Sequence, residues 1–220
     1  MSITTLDATY LSMTIDTTTH DAAAGRRGPA DHAIRQQIID AADAHFARFG
    51  YGKTTVADLA KAVGFSKAYI YKFFESKQAI GEAICAQCLD KIMSAAFASA
   101  AEARTPTEKF RKLFSTITAK STELLFQEKL LYDLAANSAT ENWPSALAYL
   151  QRVEAALREI ILLGREAGEF ERKTPIDETC SAIMLAMQPF MHPLLLEFNL
   201  DGLPETQTMV INMILRSLAP

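Results

Sequence analysis

Apolar residues recur along this chain at spacings of three and four and almost never in strict alternation, so the pattern predicts helices throughout. The first spans about Asp31 to Phe49, where Ile34, Ile38, Ala41, Ala42, Phe46 and Phe49 form one stripe and Gly50 supplies the stop. Val56, Leu59, Ala60 and Val63 give a second, short helix a single apolar face. Thr55 stands before it as an N-cap, and Asp58 is placed to reach back to the Thr55 amide, which makes a capping box. Gly64 follows the last apolar residue, where a helix end needs a residue that tolerates positive φ. Ser66 then caps a third helix over Lys67 to Phe74, with Ile70, Phe73 and Phe74 for the interior and Lys67, Tyr69, Tyr71 and Lys72 outward. Helix, glycine turn, helix is a helix-turn-helix. A protruding helix that mixes basic and aromatic hydrogen-bonding groups suits a DNA major groove.

Ser76 caps a longer helix over about Lys77 to Ala101. A lysine in the first turn opposes the helix dipole, and a phosphate contact would account for it. Thr105-Pro106 reads as a cap and a first-turn proline, opening a helix to about Ala119 with Phe110, Leu113, Phe114 and Ile117 inward. The next segment, about Thr122 to Asn137, carries Leu124, Leu125, Phe126, Leu130, Leu131, Tyr132 and Leu134, more than one stripe holds, and is predicted to be buried on several sides. Asn137 to Pro144 reads as a loop. A long helix follows over Ser145 to about Gly168, with Leu147, Leu150, Val153, Leu157, Ile160, Ile161 and Gly164 on one side. Past a turn from Gly168 to Thr174, Pro175 opens another, where Ile176, Cys180, Ile183, Met187, Phe190 and Leu194 repeat in a heptad-like seam suited to helix–helix packing. Pro189 and Pro193 should bend its second half. A last helix, about Pro204 to Leu218, has Met209, Val210, Met213 and Ile214 inward. The fold class is all-α.

With 49% hydrophobic residues in 220, the chain builds a sizeable core without disulfide or metal. Its net charge of −4 is uneven: Arg26 to Lys77 holds nine basic and five acidic residues, a local +4, which leaves −8 for the remainder. That split fits a nucleic-acid-facing head on an acidic body. Three cysteines form no even framework, which points to a reducing compartment. Cys85 and Cys88 form a C-x-x-C on one helix face but have no second pair or nearby histidines to complete a zinc site. They read as small buried hydrophobes, with a redox or metal sensor as the alternative, and no cofactor is expected. The N-terminus lacks the basic and apolar regions of a signal peptide, and Gln188, Pro189, His192 and Pro193 interrupt the longest apolar run, so a soluble, cytoplasmic protein without a membrane span is expected. Residues 1–29, rich in Thr, Ala, Ser and Asp, read as a disordered arm, with Met13 as an alternative start. Arg26 and Arg27 close that arm, either to enter an adjacent minor groove or as a solvated pair.

The pattern G-x-x-x-x-T-V-x-D-L-A-x-x-x-G-F-S-x-A-x-I-Y-x-x-F-x-S-K, from Gly50 to Lys77, resembles the DNA-binding domain of the TetR/AcrR family of bacterial regulators. The similarity runs from about Ala30 to Ile84; beyond it only the layout is similar. The resemblance implies a three-helix DNA-binding domain over 30–77 and a helical effector-binding and dimerisation domain over 78–220. It implies a homodimer on a palindromic operator, joined through the helices near 145–168 and 175–198. On the matching positions, Thr55 and Lys77 would hold phosphate, with Lys67, Ala68, Tyr69 and Tyr71 toward the bases. Ser66, Lys72 and Lys53 are further candidates. Phe73 departs from the family's usual His or Tyr, so a phosphate contact there is not expected.

The same resemblance implies a small-molecule pocket among the middle helices. Candidate walls are Phe97, Phe114, Phe126, Tyr132, Trp143, Tyr149 and Met184, and their character favours an apolar or weakly polar effector. Repression relieved by ligand is the expected arrangement, with activation as an alternative. A DNA-binding protein without a ligand is the second reading. A helical enzyme is disfavoured: G-x-S-x-G, a phosphate loop and H-E-x-x-H are all missing, and the histidines at 20, 32, 45 and 192 are scattered.

Overall fold

The computed structural model describes residues 28–127 and 129–220, without the side chains of residues 127–130. Arg26 and Arg27 lie outside the described residues, as does the arm that precedes them. The described residues form ten helices and no strand: α1 (Pro29–Phe49), α2 (Val56–Val63), α3 (Lys67–Ile70), α4 (Lys77–Ala101), α5 (Pro106–Gln127), α6 (Lys129–Thr140), α7 (Pro144–Glu166), α8 (Ile176–Met191), α9 (Pro193–Phe198) and α10 (Leu203–Ser217). The described residues up to Gln36 and residues Gln37–Pro220 form two compact units. In the first, α1 opens on the Gly28 carbonyl, which accepts from the Asp31 amide at 2.9 Å. The second holds the rest of α1 and every helix from α2 to α10.

Local chemistry places the helix ends. Thr55 and Asp58 form the expected capping box, and Gly64 closes α2 at φ 81°. The hydroxyls of Ser66 and Ser76 accept from Tyr69 N and Ala79 N to start α3 and α4. Ile38, Ile39, Ala42, Phe46, Leu59, Ile70, Phe74 and Ile80 are buried beneath these short helices. The larger core draws on the inner faces of α4, α5, α7, α8 and α10, with Phe110, Phe114, Ile117, Val153, Leu157 and Met187 fully enclosed. Across it, Gln207 of α10 donates to the Phe114 carbonyl at 3.0 Å, and the Thr118 hydroxyl donates to the Phe190 carbonyl at 3.1 Å, so three helices are pinned by buried polar groups.

Several elements differ from the pattern-based expectation. α3 is regular only to Ile70; Lys72 and Phe73 then bond back three residues rather than four, a tightened turn that carries Phe74 into the core. The break expected near residue 120 is absent: α5 continues to Gln127 because Ala119–Ser121 holds no Gly or Pro, and the Thr122 hydroxyl bonds the Thr118 carbonyl inside the helix instead of capping a new one. α6 likewise runs to Thr140, shrinking the expected loop. Of the two prolines, Pro189 stays within α8, while Pro193 ends it: His192 before it is extended at ψ 125°. Phe49, Leu147, Leu150, Leu194, Met209 and Met213, all placed inward by periodicity, are exposed. Ile39, Tyr149, Gln207 and Ile211 are buried in their stead, because neighbouring helices cover a slightly rotated face.

Candidate nucleic-acid interface and effector cavity

Lys53, Thr55, Ser66, Lys67, Ala68, Tyr71 and Lys72 are all exposed around α2 and α3. Tyr69 is half-buried, its ring edge-on to Phe65 at 4.9 Å and to Phe73 at 5.4 Å. Phe65, Tyr69 and Phe73, before, on and after this short helix, therefore form one aromatic row, and Phe73 braces Tyr69 rather than reaching outward. The Lys72 ammonium lies 5.3 Å from the Tyr69 ring centre and that of Lys67 5.8 Å from Tyr71, so both cations are steered by the aromatics beside them.

The Thr55 hydroxyl donates to Asp58 Oδ2 at 2.6 Å and accepts from the Asp58 amide at 3.2 Å. These bonds from Thr55 hold the Asp58 carboxyl below its usual range. With that hydroxyl proton committed, the amides of Val56 and Ala57 are the open donors at the start of α2. Lys77 is committed too: its Nζ donates to the Tyr51 carbonyl at 3.0 Å and lies 4.2 Å from the Tyr51 ring centre. A carbonyl and a π-face thus explain a cation in the first turn of α4 without invoking phosphate. His45 Nδ1 lies 3.2 Å from the Thr54 hydroxyl.

Tyr51 also meets the body of the molecule. Its ring stands edge-on to Trp143 at 5.6 Å, and both crowd Gly81 of α4: a Cβ there would sit 3.1 Å from Trp143, 3.2 Å from Tyr51 and 3.3 Å from Leu134. The Trp143 indole donates to Glu141 at 2.7 Å. One glycine therefore lets the loop after α1, the start of α7 and the side of α6 converge on α4.

Just beyond this joint lies a cavity of about 240 Å³ between α4, α5, α6, α7 and the α8–α9 junction. Of the seven candidate walls, Tyr132 and Tyr149 line it. The other five expected walls lie elsewhere. Phe114 is fully enclosed in the core, Trp143 belongs to the Gly81 joint, Met184 packs against the core, and Phe97 and Phe126 are exposed at 41% and 71%. Large side chains fill space; they do not mark where it is left empty. The walls that sequence reasoning missed include Cys88, Leu89, Ser121, Gln188 and His192, mid-sized residues at ordinary helical positions with no local signal. Cys85 lines it as well, and burial pushes its thiol up to about 12. No cluster of three metal-ligating side chains occurs among the described residues, and no described helix is long and apolar enough to cross a membrane.

Comparison with known proteins decides the family. The family model for bacterial regulatory proteins of the tetR family matches residues 38–84, and the tetracyclin repressor-like C-terminal domain matches residues 106–210. The chain belongs to the tetR family. Membership makes residues 38–84 the family's N-terminal regulatory domain and residues 106–210 its C-terminal domain. Over 68 residues it is 37% identical to the HTH-type transcriptional repressor Rv1474c of Mycobacterium tuberculosis, covering 30% of this chain and 36% of that protein. Over 57 residues it is 40% identical to the biofilm operon icaADBC negative transcriptional regulator IcaR of Staphylococcus aureus, covering 26% and 31%. This tetR-family chain thus spans about a third of the length of these relatives. Its fold is similar to that of the transcriptional regulator FadR from Bacillus subtilis, solved in complex with stearoyl-CoA, with a TM-score of 0.62 at 19% identity over 83% of this chain and 98% of that one.

Proposed function

We propose that the protein is a sequence-specific, homodimeric transcriptional repressor that leaves a palindromic operator when a small, largely apolar molecule fills the cavity. The observation that carries this reading is α4, whose first residue holds Tyr51 of the helix-turn-helix while Ile84, Cys85, Cys88 and Leu89 further along it line the cavity. Occupancy at one end of a single helix is then felt at the other, and a ligand that prefers the mis-spaced state shifts the population away from DNA. Residues 30–77 are the reading head and 78–220 the sensing and dimerising body. Lys67 donates to guanine, Tyr69 and Tyr71 contact bases and thymine methyls, Ala68 permits close approach, and Lys53, Ser66, Lys72 and the start of α2 at Thr55 hold phosphates. Lys77 takes a phosphate only if one displaces or shares its bond to Tyr51.

Repression rather than activation is favoured by the names of the two relatives, a repressor and a negative regulator. Dimerisation would use the outward faces of α7 and α8, where Ala155, Leu162, Ser181, Ala182 and Leu185 are exposed. The test is a gel shift on the DNA upstream of its own gene, titrated with salt and with lipophilic compounds. Specific binding with an affinity of about 10⁻⁸ M or tighter, released by at least one compound, is expected. Binding no tighter than to unrelated DNA overturns the reading.

A further inference from the structure

Two residues that line the cavity each carry a buried polar atom with no partner among the described residues, the Tyr149 hydroxyl and His192 Nδ1. Tyr132, in the same wall, shows the ordinary arrangement: its hydroxyl donates to the Pro193 carbonyl at 2.5 Å. Buried polar groups left unpaired are unfavourable, so a wall that keeps two of them is suited to a partner arriving from outside. Among the described residues no Asp, Glu, Lys or Arg lines the cavity. An ionised ligand would therefore lie in an apolar enclosure without a fixed counter-charge, which is costly. Burial pushes the Tyr149 hydroxyl further up, so it stays a neutral donor. A volume of about 240 Å³ admits on the order of ten non-hydrogen atoms, at the ~30 Å³ that a water molecule occupies in the liquid.

We propose that the cavity takes an uncharged molecule of that size, with an apolar body and one hydroxyl or carbonyl oxygen held by Tyr149 and His192. The oxygen accepts from the Tyr149 hydroxyl, and His192 Nδ1 supplies the second contact. The proposal rests on the reading of the protein as a ligand-gated regulator and adds the chemical class of the ligand.

The experiment is thermal denaturation of the full chain with three probes of matched shape: propylbenzene, 4-propylphenol and 4-propylbenzoate. The phenol should bind roughly tenfold more tightly than the hydrocarbon, the value of one added hydrogen bond in an enclosed site, and more tightly than the anion. Tyr149→Phe should erase the preference for the phenol, bind propylbenzene as before, and be no less stable than the parent when empty. Equal binding of phenol and hydrocarbon, a preference that survives in Tyr149→Phe, or a markedly less stable empty Tyr149→Phe each overturns the anchoring role while leaving the regulator reading intact. Tightest binding by 4-propylbenzoate overturns the uncharged class. If none of the three binds at millimolar concentration the proposal fails, and operator release in the gel shift then shows whether the ligand-gated reading fails with it.

Discussion

Lys77 and Lys72 are both cations near the helix-turn-helix, yet their surroundings give them different duties. The Lys77 ammonium is bound to the Tyr51 carbonyl and ring, whereas Lys72 is exposed beside the Tyr69 ring. Lys77→Ala should therefore cost the DNA-free protein about 1–2 kcal/mol, a fall of several degrees in Tm. Lys72→Ala should leave Tm within a degree or so, weaken binding to every DNA sequence alike, and lower the salt slope by about 1. Unchanged Tm in Lys77→Ala would show that the clamp on Tyr51 is not made in solution. Cys85 gives a second outcome at this scale. With its thiol pushed up to about 12 by burial, almost no thiolate exists at neutral pH, so iodoacetamide should modify it only as fast as the protein opens. Rapid alkylation of native protein at that position, read by peptide mapping, would revive a redox role. Caps and the Gly64 stop were legible at the level of single residues because each needs only its neighbours in sequence. The clamp on Lys77 was not, because Tyr51 is 26 positions away.

At the scale of elements, two glycines mark where helices approach too closely for a side chain. A Cβ on Gly164 of α7 would lie 1.9 to 2.6 Å from ring carbons of the buried Phe170. The ring would have to leave its site, so Gly164→Ala should destabilise by about 2–3 kcal/mol in urea unfolding. A loss under half a kcal/mol would mean that the ring repacks freely. Gly81 of α4 is the milder case, with contacts of 3.1 to 3.3 Å to three side chains. The helix gains roughly 0.5–1 kcal/mol from Gly→Ala, which offsets the crowding, so stability should change little. Trp143 must shift, however, and as the single tryptophan it should report the change in its emission maximum. The existence and type of most elements were legible in the spacing of apolar residues. Their inward faces were not always so: on α7 and α10 both sides carry Leu or Met, and the choice between them belongs to the helices packed alongside. The same limit explains why α5 ran on where a break was expected, since a polar Lys-Ser-Thr stretch is as compatible with a solvated helix face as with a loop.

At the scale of the whole molecule, the heptad-like seam of α8 has a different role from the one that its spacing invites. Cys180, Ile183, Met187 and Phe190 are buried in the chain's own core, so the seam joins α8 to this subunit. What α8 turns outward includes Ser181, Ala182 and Leu185, the last 65% exposed. If that face is the dimer contact, Leu185→Lys should give a monomer in sedimentation velocity with an unchanged Tm per chain and a large loss of operator affinity, because a half-site alone binds weakly. A dimer that survives the substitution would move the interface elsewhere.

The sequence by itself determined that the chain is helical, where most helices begin and end, and that residues near 50 to 77 form a helix-turn-helix of this family. Each of these depends on interactions within a few residues: caps, glycine stops and one-turn spacings. Only the tertiary structure decided that Lys77 is tied to Tyr51, that the α8 seam is internal, and that Tyr149 and His192 share one cavity wall. Those depend on where distant helices cross and which volume they leave unfilled, a property of packing that no local pattern encodes.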